Sequence, residues 1–286
     1  MRLVITGAAG MLGQDLTAAA KAAGHDVVAL ARADLDIGDG AAAEEALRGT
    51  RPDVVFNCAA WTDVDGAESS PEQAIAVNGA GAGNVARAAA AAGAWTIQVS
   101  SDYVFDGHRR APYVESDAVG PLSSYGRSKL AGEREVAAEA PERHTIVRSS
   151  WLFGAGGPCF PATIVALAGE RDVLKVVDDQ IGCPTFTGHL AQALVDLAVR
   201  AAPPVGILHV AGGGSCSWYE FAREIVATSG VSSEVRPCTT AEMPRPATRP
   251  AYSVLRSERG AEVPVLPDWR RGLAEYMALT RAVSAT

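Results

Sequence analysis

The chain has 286 residues, 48% hydrophobic and 20% charged, and 33 acidic against 25 basic side chains give a net charge of −8. That balance, with no run of Lys or Arg, argues against nucleic acid or an acidic membrane as partners, and the length suits one large core with a smaller appendage. The five cysteines, Cys58, Cys159, Cys183, Cys216 and Cys238, are scattered and form no Cys-x-x-Cys pair, which fits reduced thiols better than a disulfide framework or a zinc site. Met1-Arg2 runs straight into a strand pattern with no signal leader, and no apolar run reaches the ~18 residues of a membrane span. A soluble, cytoplasmic protein is expected.

Leu3-Val4-Ile5-Thr6 reads as a strand ending at Gly7, and Gly7-Ala8-Ala9-Gly10-Met11-Leu12-Gly13 opens a helix reaching about Ala23. Such glycines let the backbone turn tightly and approach a pyrophosphate, whose charge then meets the helix N-terminus. Gly7, Gly10, Met11, Leu12 and Gly13 are therefore candidate cofactor contacts. Their Gly-x-x-Gly-x-x-Gly spacing resembles that of short-chain and extended short-chain dehydrogenases/reductases. Residues 27–30 predict a second strand, beyond which Arg32, Asp34, Asp36 and Ile37 fall where an adenosine ribose is met. Arg32 suits the 2′-phosphate of NADPH, whereas Asp34 or Asp36 suits the free 2′-hydroxyl of NADH. Both signals are present, with the balance slightly toward NADPH.

Residues 53–57 predict a third strand. The small Ala59 and Ala60 after it, with Thr62 in the following loop, would let the backbone lie along a cofactor. Pro71 starts an Ala-rich helix running through Ala92, in which Asn78 is expected to make a structural hydrogen bond. Residues 95–100 form a fourth strand that delivers Ser101 at its C-terminal edge. This alternation predicts an α/β fold, a doubly wound parallel Rossmann-type sheet. After a loop rich in Gly, Pro and charge, Tyr125 opens a helix through about residue 138, on which Tyr125 and Lys129 share a face. A Tyr hydroxyl is a poor acid or base near neutral pH unless something stabilises its phenolate, and a nearby ammonium does so. Ser101, Tyr125 and Lys129 form the candidate catalytic set, and the last two also border the cofactor.

Residues 144–150 predict the next strand, and the alternation then breaks at Trp151-Leu152-Phe153-Gly154 and Gly156-Gly157-Pro158. The expected division is a dinucleotide-binding domain over 1–150 and a smaller substrate-binding domain over 151–286. A helix at 188–200 and a strand at 206–210 are expected to pack back on the first domain, interleaving the two. Ser217 is a good N-cap for a helix over 218–229. Residues 237–251 resist regular structure, and Arg245 and Arg249 within them offer forked donors suited to a diphosphate. A last helix spans about 268–281.

Ser100-Ser101-Asp102-Tyr103-Val104-Phe105-Asp106-Gly107, Tyr125-Gly126-Arg127-Ser128-Lys129-Leu130-Ala131-Gly132-Glu133, Arg148-Ser149-Ser150-Trp151, Gln180-Ile181-Gly182-Cys183-Pro184-Thr185 and Arg249-Pro250-Ala251-Tyr252-Ser253 follow in order along nearly the whole chain. They resemble signatures of the dTDP-4-dehydrorhamnose reductases, extended short-chain reductases. The resemblance implies NAD(P)H-dependent reduction of a dTDP-4-keto-6-deoxy sugar, from dTDP-4-dehydro-L-rhamnose to dTDP-L-rhamnose. It implies that Ser101, where the family commonly has Thr, bonds the sugar carbonyl. Tyr125 would protonate the oxygen as hydride arrives, and Lys129 would hold the nicotinamide ribose while favouring the ionised Tyr. Asp102, Tyr103 and Trp151 would border the sugar, with Arg249 reaching the diphosphate.

Some members of that family use magnesium at a dimer contact. Asp15 could supply one ligand, but Phe186-Thr187-Gly188-His189 supplies no carboxylate for the other, so no metal is expected, in a monomer or a homodimer. Related 4,6-dehydratases set Asp-Glu beside the Ser/Thr, where this chain has Asp102-Tyr103. A dTDP-dihydrostreptose synthase, or another antibiotic-pathway dTDP-4-ketosugar reductase, stays open as an alternative. So does a non-catalytic regulatory subunit of a partner enzyme, against which the joint retention of Ser101, Tyr125 and Lys129 argues.

Overall fold

Six short apolar runs build one parallel sheet in the order Gly206–His209, His144–Ser149, Trp95–Ser101, Val54–Asn57, Arg2–Thr6, Asp26–Leu30, in a computed structural model that describes residues 1–284. Val54–Asn57 and His144–Ser149 are buried at every position, as a sheet covered on both faces requires. Leu3 and Ile5 face one apolar layer and Val4 the other, the period of two that a strand imposes. From Arg2–Thr6 the chain winds outward to Asp26–Leu30, then returns to lay Val54–Asn57 on the opposite flank of the first strand. A crevice opens at the carboxyl ends where the winding reverses.

One face of the sheet is covered by Met11–Ala22 and Thr187–Ala198, which pack on each other and bury Leu16, Leu190 and Leu194 completely. The strand that follows, Gly206–His209, pairs in parallel with His144–Ser149. The other face carries Gly40–Thr50, Ala82–Ala91 and Ser124–Glu139. Gly40–Thr50 was not foreseen, because glycines at 38, 40 and 49 hide a good helix-forming core. Asp39 starts it by accepting hydrogen bonds from the Ala41 and Ala42 N–H groups.

The single helix expected from Pro71 to Ala92 is interrupted. Pro71–Ile75 and Ala82–Ala91 are joined by a π-helical turn, Ala76–Gly81. That turn aims Asn78 at the Trp61 backbone, accepting from its N–H at 2.8 Å and donating to its C=O at 3.0 Å, and also at Ser128 Oγ at 2.8 Å. The facing helix comes so close that a Cβ on Gly132 would lie 2.1 Å from the Asn78 carbonyl oxygen.

The remainder of the chain packs around an aromatic core of Phe153, Phe186, Phe221, Trp269 and Tyr276. Three two-stranded pairings brace it, among them Val173–Val177 alongside Glu234–Cys238. Pro237 and Cys238 therefore end a strand rather than opening the irregular stretch. Two strands leave such an edge free, which tolerates the missing N–H of proline. Among the described residues no helix is long and apolar enough to cross a membrane.

A buried ion pair fixes the helix that carries Tyr125 and Lys129. Arg148 donates to both Glu133 oxygens, at 2.8 and 2.7 Å, with side chains only 2% and 4% exposed. Ser100 Oγ donates to the same carboxylate at 2.6 Å, and the guanidinium lies 5.1 Å from the Phe105 ring centroid. Glu133→Gln keeps the shape but leaves Arg148 buried without its counter-charge. It is expected to cost about 3–5 kcal/mol, read as a lower urea midpoint with an unchanged slope.

Candidate active site

The crevice is a cleft of about 720 Å³. Its walls include the cofactor candidates Gly7, Gly10, Met11, Leu12, Gly13, Arg32, Asp36, Ile37, Ala59, Ala60 and Thr62, together with Ser101, Asp102, Tyr103, Tyr125, Lys129 and Trp151. Arg249 is not among the lining residues.

At one end the wall is bare backbone. Gly7 has φ +65°, and a Cβ there would lie 2.6 Å from the Ala59 nitrogen; one on Gly13 would lie 2.3 Å from the Gly7 carbonyl oxygen. Side chains are thus kept out of the turn, and Gly10 leads into Met11–Ala22 with no side-chain cap. The helix N–H groups are left for a ligand anion, which fits a dinucleotide pyrophosphate. Further along, Asp34 accepts the Ala31 N–H at 2.9 Å and lies outside the lining, while Asp36 accepts the Gly38 N–H at 2.9 Å. Arg32 makes no ion pair among the described residues.

The reacting end gathers the catalytic candidates. Ser101 closes the strand Trp95–Ser101, and Tyr125 and Lys129 stand on the first turns of Ser124–Glu139, whose N-cap Ser123 accepts from the Gly126 N–H. Burial raises the Tyr125 hydroxyl to about 12; the Ser101 hydroxyl pulls it back and the Asp102 carboxylate pushes it further up. Burial thus keeps Tyr125 in its phenol form at neutral pH. Lys129 Nζ donates to the Val99 carbonyl oxygen at 2.7 Å. Burial lowers Lys129 to about 8, against the opposing pull of Glu133. Tyr103 meets Tyr125 edge to face, ring centroids 5.6 Å apart, and burial raises its hydroxyl.

Asp102 is 2% exposed. Ser101 Oγ donates to its Oδ1 at 3.0 Å and Ser150 Oγ to its Oδ2 at 3.1 Å. Burial raises it to about 6, with the Ser253, Ser101 and Ser150 hydroxyls resisting. Trp151 adopts φ +48°, unusual for a bulky residue. Its indole stacks on that of Trp218, centroids 3.5 Å apart and planes 6° apart, and a Cβ on Gly182 would come within 2.4 Å of it. Trp218 lines the cleft as well and was missed. Its place after the Ser217 capping box was visible, but the partner across the fold was not.

Arg249 is paired within the chain. Its guanidinium grips Asp65 fork to fork, both contacts at 3.0 Å, while Arg245 Nε and the Ala247 N–H reach the same carboxylate at 3.1 Å. The Arg249 hydrogen bond is the main cause holding Asp65 below the usual carboxylate range. The forked donors read from the sequence as suited to a diphosphate meet a carboxylate of the chain here. Asp15 accepts a hydrogen bond from Thr187 Oγ1, and His189 pairs with Glu275 at 2.9 Å. Among the described residues no three His, Cys, Asp or Glu side chains converge as a metal site.

Comparison with known proteins bears on this geometry. The family model described as RmlD substrate binding domain matches residues 1–282. The chain belongs to this family. A dTDP-4-dehydrorhamnose reductase of Streptomyces griseus is 46% identical over 280 residues, 96% of this chain and 92% of that protein. A crystal structure of a dTDP-4-dehydrorhamnose reductase from Clostridium acetobutylicum superimposes with a TM-score of 0.94 at 41% identity, covering 98% of this chain and all of that one. Another, from Bacillus anthracis in complex with NADP, gives 0.92 at 36% identity over 98% and 99% of the two chains.

In this member of the RmlD substrate-binding-domain family, burying Lys129 works against stability. A fall from 10.5 to about 8 corresponds to about 3 kcal/mol, felt in full below pH 8 and lost as pH rises from 8 toward 10.5. Lys129→Met is expected to stabilise the fold at pH 7 by up to that amount, less whatever the abandoned Val99 carbonyl costs. Urea titrations at several pH values should show the advantage shrinking above pH 8; a constant difference would contradict the assigned cause.

Proposed function

We propose that this chain is an NADPH-dependent reductase of a dTDP-4-keto-6-deoxy sugar, converting dTDP-4-dehydro-L-rhamnose to dTDP-L-rhamnose. The observation that carries the reading is one cleft with a bare-backbone glycine turn at one end and Ser101, Tyr125 and Lys129 at the other. Residues 1–150, joined by the helix and strand near 188–210, hold the dinucleotide. The rest of 151–286 grips the sugar, with Tyr103 and Trp151 as its walls. Family membership and the names of the relatives support the substrate. Arg32, without an ion-pair partner among the described residues, supports NADPH over NADH, since Asp34 is spent on its own turn.

A bound nicotinamide supplies the hydride to the ketone carbon. Ser101 bonds the ketone oxygen and aims it at Tyr125. Burial keeps Tyr125 protonated through the neutral range, so it delivers its proton to the oxygen as negative charge grows there. Lys129, in its ammonium form, supports the phenolate that remains and holds the ribose beside it. Arg249 stays with Asp65 and steadies the loop next to Tyr103, on which its charge acts. The donor set around Asp15 supports a reaction without magnesium, in a monomer or a homodimer.

The test is oxidation of NADPH and of NADH with dTDP-4-dehydro-L-rhamnose, the product identified by NMR. Turnover to dTDP-L-rhamnose with NADPH preferred is expected. From protein shown to bind NADPH, no turnover would instead favour another dTDP-4-keto sugar or a regulatory subunit. Tyr125→Phe is expected to lower kcat by about 10²–10⁴ with NADPH affinity retained. Arg32→Ala is expected to raise the KM for NADPH about tenfold, the value of one charge-assisted hydrogen bond, and to leave that for NADH unchanged.

A further inference from the structure

Ser101 Oγ has one proton to give and two lone pairs to receive with. The proton points at Asp102 Oδ1, and one lone pair takes the Tyr103 backbone N–H at 3.1 Å. While Asp102 is ionised, the hydroxyl has no proton left for a ketone oxygen. Were Asp102 protonated and donating to Ser101, both lone pairs would be filled and the Ser101 proton would be free to turn away from Asp102, toward Tyr125, whose oxygen it also contacts, and toward a substrate carbonyl. The carboxyl group thus decides whether Ser101 is a donor.

The surroundings of Asp102 let both forms exist. Ser150, at the end of His144–Ser149, and Ser253, in the loop beyond Arg249, direct hydroxyls at it and favour the ionised form. The titratable groups facing it are Tyr103 on its own turn, Tyr125 on Ser124–Glu139 and Cys183 after Ile181–Gly182, each pushed up by its charge. None of these is a cation, and among the described residues Asp102 forms no ion pair. A carboxyl buried without a counter-charge moves upward, here to about 6, so its proton is exchanged within the range where the protein can be assayed.

We propose that Asp102 is a positioning residue acting through Ser101, releasing the Ser101 proton to the substrate carbonyl when protonated and withholding it when ionised. The inference rests on the reduction proposed above.

It is tested by the pH dependence of kcat/KM for the ketosugar at saturating NADPH, from pH 5 to 8, in wild type, Asp102→Asn and Ser253→Ala, with NADPH affinity measured at each pH. The wild-type value should fall tenfold per pH unit above a midpoint that NADPH affinity does not share. Ser253→Ala removes a bond to the ionised form and should move that midpoint upward, while Asp102→Asn should abolish the fall. A fall that persists in Asp102→Asn, or a midpoint unmoved in Ser253→Ala, would overturn the role of Asp102 and leave the reductase reading standing. If Asp102→Asn fails to fold, the Ser253→Ala midpoint decides alone. Absence of ketosugar turnover at every pH would overturn the reductase reading, and this inference with it.

Discussion

Backbone lies against backbone where the first and third strands end, and the cleft depends on that contact. Gly7 and Ala59 approach so closely that no side chain fits between them, and Gly13 tucks its helix under the Gly7 carbonyl. The approach is possible because the winding of the sheet reverses there, sending one loop left and the next right. A long floor without side chains results, with the N–H groups of Met11–Ala22 at one end. Whatever lies on that floor is led along the strand ends to Ser101, three strands across from Asp26–Leu30.

The end of the cleft that holds Ser101, Tyr125 and Lys129 is built against the grain of stability. Lys129 and Asp102 are buried where each would prefer its neutral form, and Trp151 holds a backbone angle that costs energy outside glycine. Such groups persist only where their surroundings over-determine them. For Lys129 the surroundings are the Val99 carbonyl and the Glu133–Arg148 pair one turn away. For Trp151 they are the Trp218 stack and the bare α-carbon of Gly182. Removing water from these side chains also tunes them: a Tyr125 that keeps its proton suits a reduction, whose developing oxygen charge needs one.

The later half of the chain closes the site by reaching back. Asp65, on the loop after the third strand, is gripped by Arg249, Arg245 and the Ala247 N–H from the loop near the end of the chain. Two forked cations on a Pro-rich loop look ready for a diphosphate, and chemically they are. The tertiary fold brought a carboxylate of the chain to them, and an intramolecular partner is held at high effective concentration. The same principle places Trp218 on Trp151 across 66 residues of intervening sequence.

Much of the protein was legible from local spacing. Three glycines after a β-branched run specify a turn, a strand-end Ser101 specifies an edge, and Tyr125 and Lys129 share a helix face wherever that helix lies, because each rests on distances of a few residues that backbone geometry sets. Tertiary structure decided the rest. The helix Gly40–Thr50 depends on an Asp39 cap and on packing that outweigh its glycines, and the π turn at Ala76–Gly81 lies where the bare α-carbon of Gly132 lets a neighbouring helix approach it. The Asp65–Arg249 grip, the tryptophan stack and the contacts of Ser150 and Ser253 with Asp102 join segments far apart in the chain. Neither spacing nor composition records such encounters, since they depend on which strand ends the completed sheet sets side by side.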